Sequence, residues 1–180
     1  MTQGTPLTTQ QPFVWPVRVY WEDTDAGGIV FYANYLKFME RARTEWLRAL
    51  GVSQSALRET TASQAGGMFV VTDTQLHYKL PAQLDDQLLV TAQIVEKSRI
   101  TLTIRQEIRR EIRRETRSES KQNMLTQLLN IEQSGSAMLL PTAELNTQPL
   151  VCHGQIRIAW VSTNNLKPTK IPQHVMEVLQ

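Results

Sequence analysis

Two spacings organise the apolar residues of this chain. Between Asn34 and Gly51 they recur every three to four positions, at Tyr35, Met39, Ala42, Trp46 and Leu50, with Leu36 and Leu47 beside them. Lys37, Glu40, Arg41 and Arg43 lie largely off that stripe. A 3.6-residue period predicts an amphipathic helix, with Asn34 placed to cap it and Gly51 to end it. A shorter helix is expected from Ser53 to about Thr60. Elsewhere the spacing is close to two. "FVWPVRVYW" (Phe13 to Trp21) is β-branched and aromatic and reads as a strand with Pro16 near its start. "GMFVVTDTQLHYKL" alternates in part. "DQLLVTAQIVEK" and "SRITLTIRQEI" read as consecutive antiparallel strands joined near Lys97 to Arg99, and "CHGQIRIAWVST" reads as another strand. Strand, helix and then several strands is the order of an α+β fold, one main helix packed on an antiparallel sheet.

One stretch obeys both periods. Ile100, Leu102, Ile104, Ile108 and Ile112 occupy even positions, and Arg alternates with Glu on odd positions from Arg105 to Arg117. That is a strand pattern. Yet Ile104, Ile108 and Ile112 are four apart, and Arg and Glu favour helices. A strand through about Ile108 is expected, then its extension or a short helix. Residues 118–150 are rich in Gln, Ser, Asn and Thr and predict a mobile loop, with a helical turn at "MLTQLLNIE". Residues 1–12 predict a disordered lead-in. The organisation expected is a single domain over 13–180 carrying a polar insert at about 110–150.

Composition narrows the class. The 180 residues suit one domain, and a hydrophobic share of 41% with a charged share of 20% is that of a globular protein. A net charge of +2 neither requires nor excludes nucleic acid. The Arg-rich run interleaves Glu107, Glu111 and Glu115 and lacks the aromatics that stack on bases, so a solvated, salt-bridged face is expected there and no nucleic-acid partner. Cys152 is the only cysteine, which excludes an intramolecular disulfide and a site of several thiolates. The first residues lack the basic and apolar regions of a secretory signal. No apolar run approaches the ~20 residues of a membrane span. A cytoplasmic protein is the expectation.

The stretch that stands out chemically is "EDTDAGG", just ahead of the main helix. An aspartate is ionised at neutral pH and attacks a carbonyl, or directs water at one, without a partner base. Acyl chemistry also needs a stabiliser for the oxyanion, and free N–H groups at a helix entrance supply it. Gly27 and Gly28 allow close backbone approach, and Asp25 lies seven residues before Tyr32, where the helix is expected to begin. The plainer reading makes Asp23 and Asp25 turn residues bonding their own backbone. A divalent metal on the two carboxylates is a third reading, with only Glu22 near to complete it. His77, His153 and His174 are scattered and read as sheet or surface residues, His77 near a subunit contact. Cys152 and His153 are adjacent in a strand, face opposite ways and make no nucleophile pair. Lys97 and Arg99, on a turn, are candidates to meet phosphates.

"VRVYWEDTDAGGIVFYANYLKFMERARTEWLR" resembles the signature of the 4-hydroxybenzoyl-CoA thioesterase-like hotdog family, and is especially similar to its YbgC-type, Tol-Pal-associated acyl-CoA thioesterases. "YKLPAQLDDQL" and, near the end, "LKPTKIPQHV" extend the resemblance in the same order. It implies a hotdog fold, a long central helix wrapped by a five- to six-stranded antiparallel sheet. It implies hydrolysis of an acyl-CoA thioester and assembly as a homodimer or homotetramer, with no metal and no cofactor beyond the coenzyme A of the substrate. The family's catalytic carboxylate falls at Asp25 and its carbonyl-polarising amide at Tyr32, with Gly28, Phe31, Asn34 and Tyr35 lining the substrate site. Asp23 is left a structural, turn-forming role. Two features depart from the family. Many YbgC-type members carry His where Tyr32 stands, so a backbone role carries over and a side-chain acid–base role does not. The chain also holds an excess of roughly 40 residues between Arg110 and Leu150. An acyl carrier protein in place of coenzyme A, or a non-catalytic acyl-binding or scaffold protein of the cell envelope, are the alternatives.

Overall fold

The computed structural model describes residues 11–59, 66–112 and 142–179. Most of the expected lead-in and most of the polar insert, including its helical turn, lie outside them, and the second helix ends at Leu57, short of the expected Thr60. Five strands form one antiparallel sheet in the order β1-β3-β4-β5-β2. They are β1 Phe13–Arg18, β2 Gly67–Tyr78, β3 Gln87–Lys97, β4 Thr101–Arg110 and β5 Leu150–Ser162. Helix α1, Asn34–Ala49, lies against one face. This is the expected helix-on-sheet hotdog arrangement. Pro16 sits in β1, an edge strand, where a missing N–H is tolerated.

Strand β1 stops at Arg18, short of the predicted Trp21. The reason is Asp23, whose carboxylate accepts the Tyr20 N–H at 2.9 Å and closes a 3-10 turn, Trp21–Asp23. In α1 the buried face is wider than the predicted stripe. It includes Phe38, which the stripe omitted, and leaves Leu36 exposed. Asn34 does not cap the helix. It is the first helical residue, and its side chain reaches back to donate to the Asp23 carbonyl at 2.9 Å. Gly51 ends the helix with φ +78, a conformation that side chains resist. Ser53 then caps the short α2, Gln54–Leu57.

The doubly periodic stretch is a strand to Arg110, because β3 and β5 pair with it on both sides. Leu102, Ile104 and Ile108 face α1, and Gln106 faces inward with them, fully buried. Its amide donates to Met39 O at 3.1 Å and Thr91 O at 3.0 Å, and its Oε1 accepts from Arg43 at 2.7 Å. A polar side chain therefore stitches α1 to the sheet with its donors and acceptor filled. Burial lowers the Arg43 pKa, an effect that nearby Glu40 opposes. Arg109 pairs with Glu107 at 2.7 Å, part of the salt-bridged face expected from the charge pattern. The polar insert ends in an unpredicted helix, α3 Thr142–Thr147, whose Leu145 packs on Val14 and Leu89 in a second small core. A last helix, α4 Gln173–Val178, buries Val175 in the main core.

Replacing Gln106 by Leu strips Arg43 and the Thr91 carbonyl of their partner. We expect a loss of about 1–3 kcal/mol in urea unfolding. An unchanged midpoint would show that the stitch contributes nothing.

Candidate active site

Residues 23–31 form a tight hairpin. Thr24 bridges Val30, and the Asp25 N–H donates to Ile29 O at 2.9 Å. The turn is closed by Gly28 N–H to Asp25 O at 3.0 Å and by Gly27 N–H to Asp25 Oδ1 at 2.8 Å. Gly28 has φ +73, which explains a glycine at that position. Asp25 stands exposed at the tip, and its Oδ2 has no hydrogen-bond partner among the described residues. Asp23 is the opposite case. It is buried, its carboxylate is taken by Tyr20, and its carbonyl accepts both Phe31 N–H and Asn34 Nδ2, each at 2.9 Å. One carboxylate faces in and the other out, so the two do not converge on one ion.

The hairpin runs straight into the entrance of α1. The N–H groups of Tyr32 and Ala33 have no acceptor among the described residues, and Tyr32 is 62% exposed. Orphan donors at a helix start carry partial positive charge and suit an anionic or carbonyl oxygen. Phe31 and Tyr32 are both exposed, with rings 4.5 Å apart. The Tyr32 carbonyl accepts from the Tyr78 hydroxyl at 3.2 Å. Tyr35 lies beneath, its hydroxyl accepting the Ala82 N–H at 3.0 Å and its pKa raised, chiefly by burial.

The segment after β2 braces this unit from the other side. Ala82 O accepts Val30 N–H at 2.8 Å, and Ile29 bridges Gln83. The Asp86 carboxylate fixes that segment, accepting Gln83 N–H at 2.8 Å and pairing with Arg110 at 2.9 Å. The two stretches singled out in the sequence, "EDTDAGG" and "YKLPAQLDDQL", are thus brought side by side.

Among the sequence-predicted site residues, Asp25, Gly28, Phe31 and Tyr32 cluster at the exposed hairpin and helix entrance. Asn34 and Tyr35 sit below them, buried, with their polar groups holding the loops. Lys97 and Arg99 do not join the cluster. They flank the β3–β4 turn, and β3 spans roughly 35 Å between that turn and the Asp86 end. Successive turns of an antiparallel sheet alternate ends, which adjacency in sequence conceals. At their own end, Lys97 Nζ donates to Leu179 O at 3.2 Å, and the Arg99 carbonyl accepts from Ile171. Tyr78 is the residue that sequence reasoning missed, since only its pairing against α1 reveals it. His77 and His153, far apart in sequence, stack at 5.1 Å across β2 and β5. Cys152 faces the core with its thiol pushed up by burial to about 12.

Asp25 pairs with Ile29, and Tyr32 lies three residues further along the chain, at the entrance of α1.

The family model described as the thioesterase superfamily matches residues 27–116. The chain is 46% identical over 94 residues to an acyl-CoA thioesterase YbgC of Haemophilus influenzae, a match covering 52% of this chain and 66% of that protein. The acyl-CoA thioester hydrolase YbgC of Escherichia coli O157:H7 matches to the same extent, 46% over 94 residues, 52% of this chain and 66% of its own. The chain thus spans just under two thirds of the length of these relatives. Among solved structures, a hypothetical protein of Aquifex aeolicus superposes with a TM-score of 0.67 at 27% identity, covering 94% of this chain and 100% of that one. A 1,4-dihydroxy-2-naphthoyl-CoA thioesterase from Synechocystis shares the fold, with a TM-score of 0.65 at 18% identity over 94% of this chain and 96% of its own. Among the described residues, no helix is long and apolar enough to cross a membrane.

The buried thiol gives a pH prediction. The folded pKa of Cys152, about 12, lies above its ordinary 9.0. Its contribution is therefore fully present below pH 9 and is lost as pH rises toward 12. Iodoacetamide should leave native protein unlabelled at neutral pH and label it in urea. Rapid native labelling would contradict the burial.

Proposed function

The chain belongs to the thioesterase superfamily, and on that premise we propose that it is an acyl-CoA thioesterase. The observation that carries the reading is the pair of unengaged amides at the entrance of α1 beside a hairpin that presents Asp25. The thioester carbonyl oxygen accepts from the Tyr32 N–H, where the charge that develops on it is stabilised. Asp25 either attacks the carbonyl carbon, forming a mixed anhydride that water then opens, or directs water at that carbon. The carbon–sulfur bond breaks, and coenzyme A departs as a thiolate that takes up the proton released by water. The acyl group leaves as a free acid. No metal or redox group takes part in this scheme.

The same proposal places the two parts on different copies of the chain. The open edge of the sheet supports this. Strand β2 is twelve residues long, lies at an edge and has exposed Val71 and Tyr78. A second copy set edge to edge there, in a homodimer or homotetramer, would bring its hairpin toward Tyr78 and the Tyr32 amide. Coenzyme A is the carrier favoured by the names of the relatives, with an acyl carrier protein as the alternative. A cytoplasmic location and association with the Tol-Pal machinery belong to the same reading.

Thiol release from acetyl-, decanoyl-, palmitoyl- and benzoyl-CoA tests it. In Asp25→Asn, kcat should fall about a hundred- to ten-thousand-fold with the fold intact. Equal turnover would remove Asp25 from the mechanism. A parent silent on every acyl-CoA would point to a carrier-protein thioester or a non-catalytic acyl binder.

A further inference from the structure

The end of the sheet away from Asp25 carries cations and apolar side chains that have no part in the core. Two loops meet there, the β3–β4 turn and the segment that follows β5. Backbone bonds lock them together. The Trp160 N–H donates to Ile100 O at 2.8 Å, the Ile171 N–H to Arg99 O at 2.9 Å and the Thr169 N–H to Trp160 O at 3.0 Å, and Val161 bridges Pro168. Arg99, Lys167 and Lys170 stand exposed on these loops, and none of them forms an ion pair among the described residues. No acidic residue occurs between Lys97 and Leu102 or between Ser162 and Pro172. Glu96 and Glu177, just outside these spans, accept from Thr103 at 3.1 Å and Gln173 at 2.9 Å. Arg58, whose carbonyl accepts from Thr163 at 3.4 Å, and its neighbour Glu59 offset one another. The joined loops therefore present a net positive charge.

Leu166 adds a second, independent observation. It sits at the tip of the turn after β5, 62% exposed, with φ +57. Left-handed backbone suits Gly or Asn and resists leucine, yet the asparagines stand one and two positions earlier, at Asn165 and Asn164. The turn is held by the Leu166 N–H to Ser162 O at 2.9 Å and the Lys167 N–H to Asn165 Oδ1 at 3.0 Å, neither of which uses the leucine side chain. That side chain joins neither core cluster. An apolar group displayed on a strained tip gives the folded chain no burial in return, and backbone strain of this kind collects where a surface acts on something else. Ile100, on the neighbouring turn, is exposed as well.

We propose that this end of the sheet docks on an anionic lipid bilayer, with Leu166 and Ile100 entering the head-group region and Arg99, Lys167 and Lys170 meeting lipid phosphates. Apolar tips ringed by cations combine the two terms that hold a peripheral protein on such a surface, burial of a few apolar groups and attraction to the surface charge. The shape favours a bilayer over an acidic protein. A fluid head-group layer admits protruding tips, whereas a folded partner has to offer a pocket matched to each. The docking does not depend on hydrolysis of a thioester.

Sedimentation of the full chain with vesicles tests it. The parent should bind vesicles of equal parts phosphatidylcholine and phosphatidylglycerol, come off as salt is raised, and ignore vesicles of phosphatidylcholine alone. Leu166→Asn suits the left-handed backbone and should melt no lower than the parent, yet bind about fivefold more weakly, having lost its apolar tip. Lys167→Gln combined with Lys170→Gln should lose roughly twenty- to thirtyfold, about fivefold for each charge removed. Arg105→Gln combined with Arg157→Gln removes as many charges from the middle of β4 and β5 and should stay within about twofold of the parent, because the attraction fades within a Debye length of the lipid. A parent that ignores the anionic vesicles would overturn the proposal, and its retention on immobilised acyl carrier protein, lost in the Lys167 and Lys170 variant, would assign the surface to an acidic protein instead. Leu166→Asn binding as tightly as the parent, or the mid-sheet variant losing as much as the loop variant, would overturn it too.

Discussion

Asp23 is the knot on which the site depends. Its carboxylate takes the Tyr20 N–H at the end of β1, and its carbonyl takes Phe31 N–H and the Asn34 side chain. A buried carbonyl and carboxylate without partners would be costly, so the chain on both sides is shaped to serve them. The strand must end, the chain must turn back, and α1 must begin at Asn34. Asp25 is then left at the outward tip of the hairpin. The Tyr32 and Ala33 amides come before the helix's own bonds begin and are left without an acceptor among the described residues. The same interaction that closes the turn therefore leaves the Asp25 carboxylate and the two amides open.

A second layer of packing holds that arrangement against the sheet. Tyr35 spends its hydroxyl on Ala82, and Ala82 accepts from Val30. The helix entrance and the hairpin are thus tied to the same short connection between β2 and β3. Gln106 plays the corresponding part further along α1, joining helix to sheet through Met39 and Arg43. Side chains with filled hydrogen bonds fix the helix in one register, which apolar contacts alone do less sharply. A helix so fixed keeps its entrance at a set position relative to the sheet.

The elements were legible where one period dominated. The stripe from Tyr35 to Leu50 is helix, and the alternating runs are strands, because burial of one face imposes each spacing. Asp25 and Tyr32 stood out from a long motif with known meaning, and the structure puts them in one exposed region. Other features depended on contacts between distant segments. Gln106 interrupts an apolar row, and nothing local tells that Met39, Thr91 and Arg43 await it. Asn34 looks like a cap until Asp23 is seen to need its amide. Lys97 and Arg99 look available to a substrate until the sheet places them at its other end. Tyr78 meets Tyr32 and Tyr35 only once β2 is placed beside the entrance of α1, which pattern alone does not position.

At the centre of the proposed mechanism is a reaction site built from the Asp25 carboxylate of one copy and the Tyr32 amide of another. Co-expressing two inactive variants tests it directly. Asp25→Asn lacks the carboxylate. Tyr32→Pro lacks the amide proton, at the second position of the Phe31–Asn34 turn, where proline is accepted. Mixed assemblies should regain acyl-CoA hydrolysis, since one site in each pairs an intact Asp25 with an intact Tyr32 amide. Mixed assemblies that form and stay as inactive as either variant alone would mean that each chain carries its own complete site, and a centre shared between copies would be ruled out.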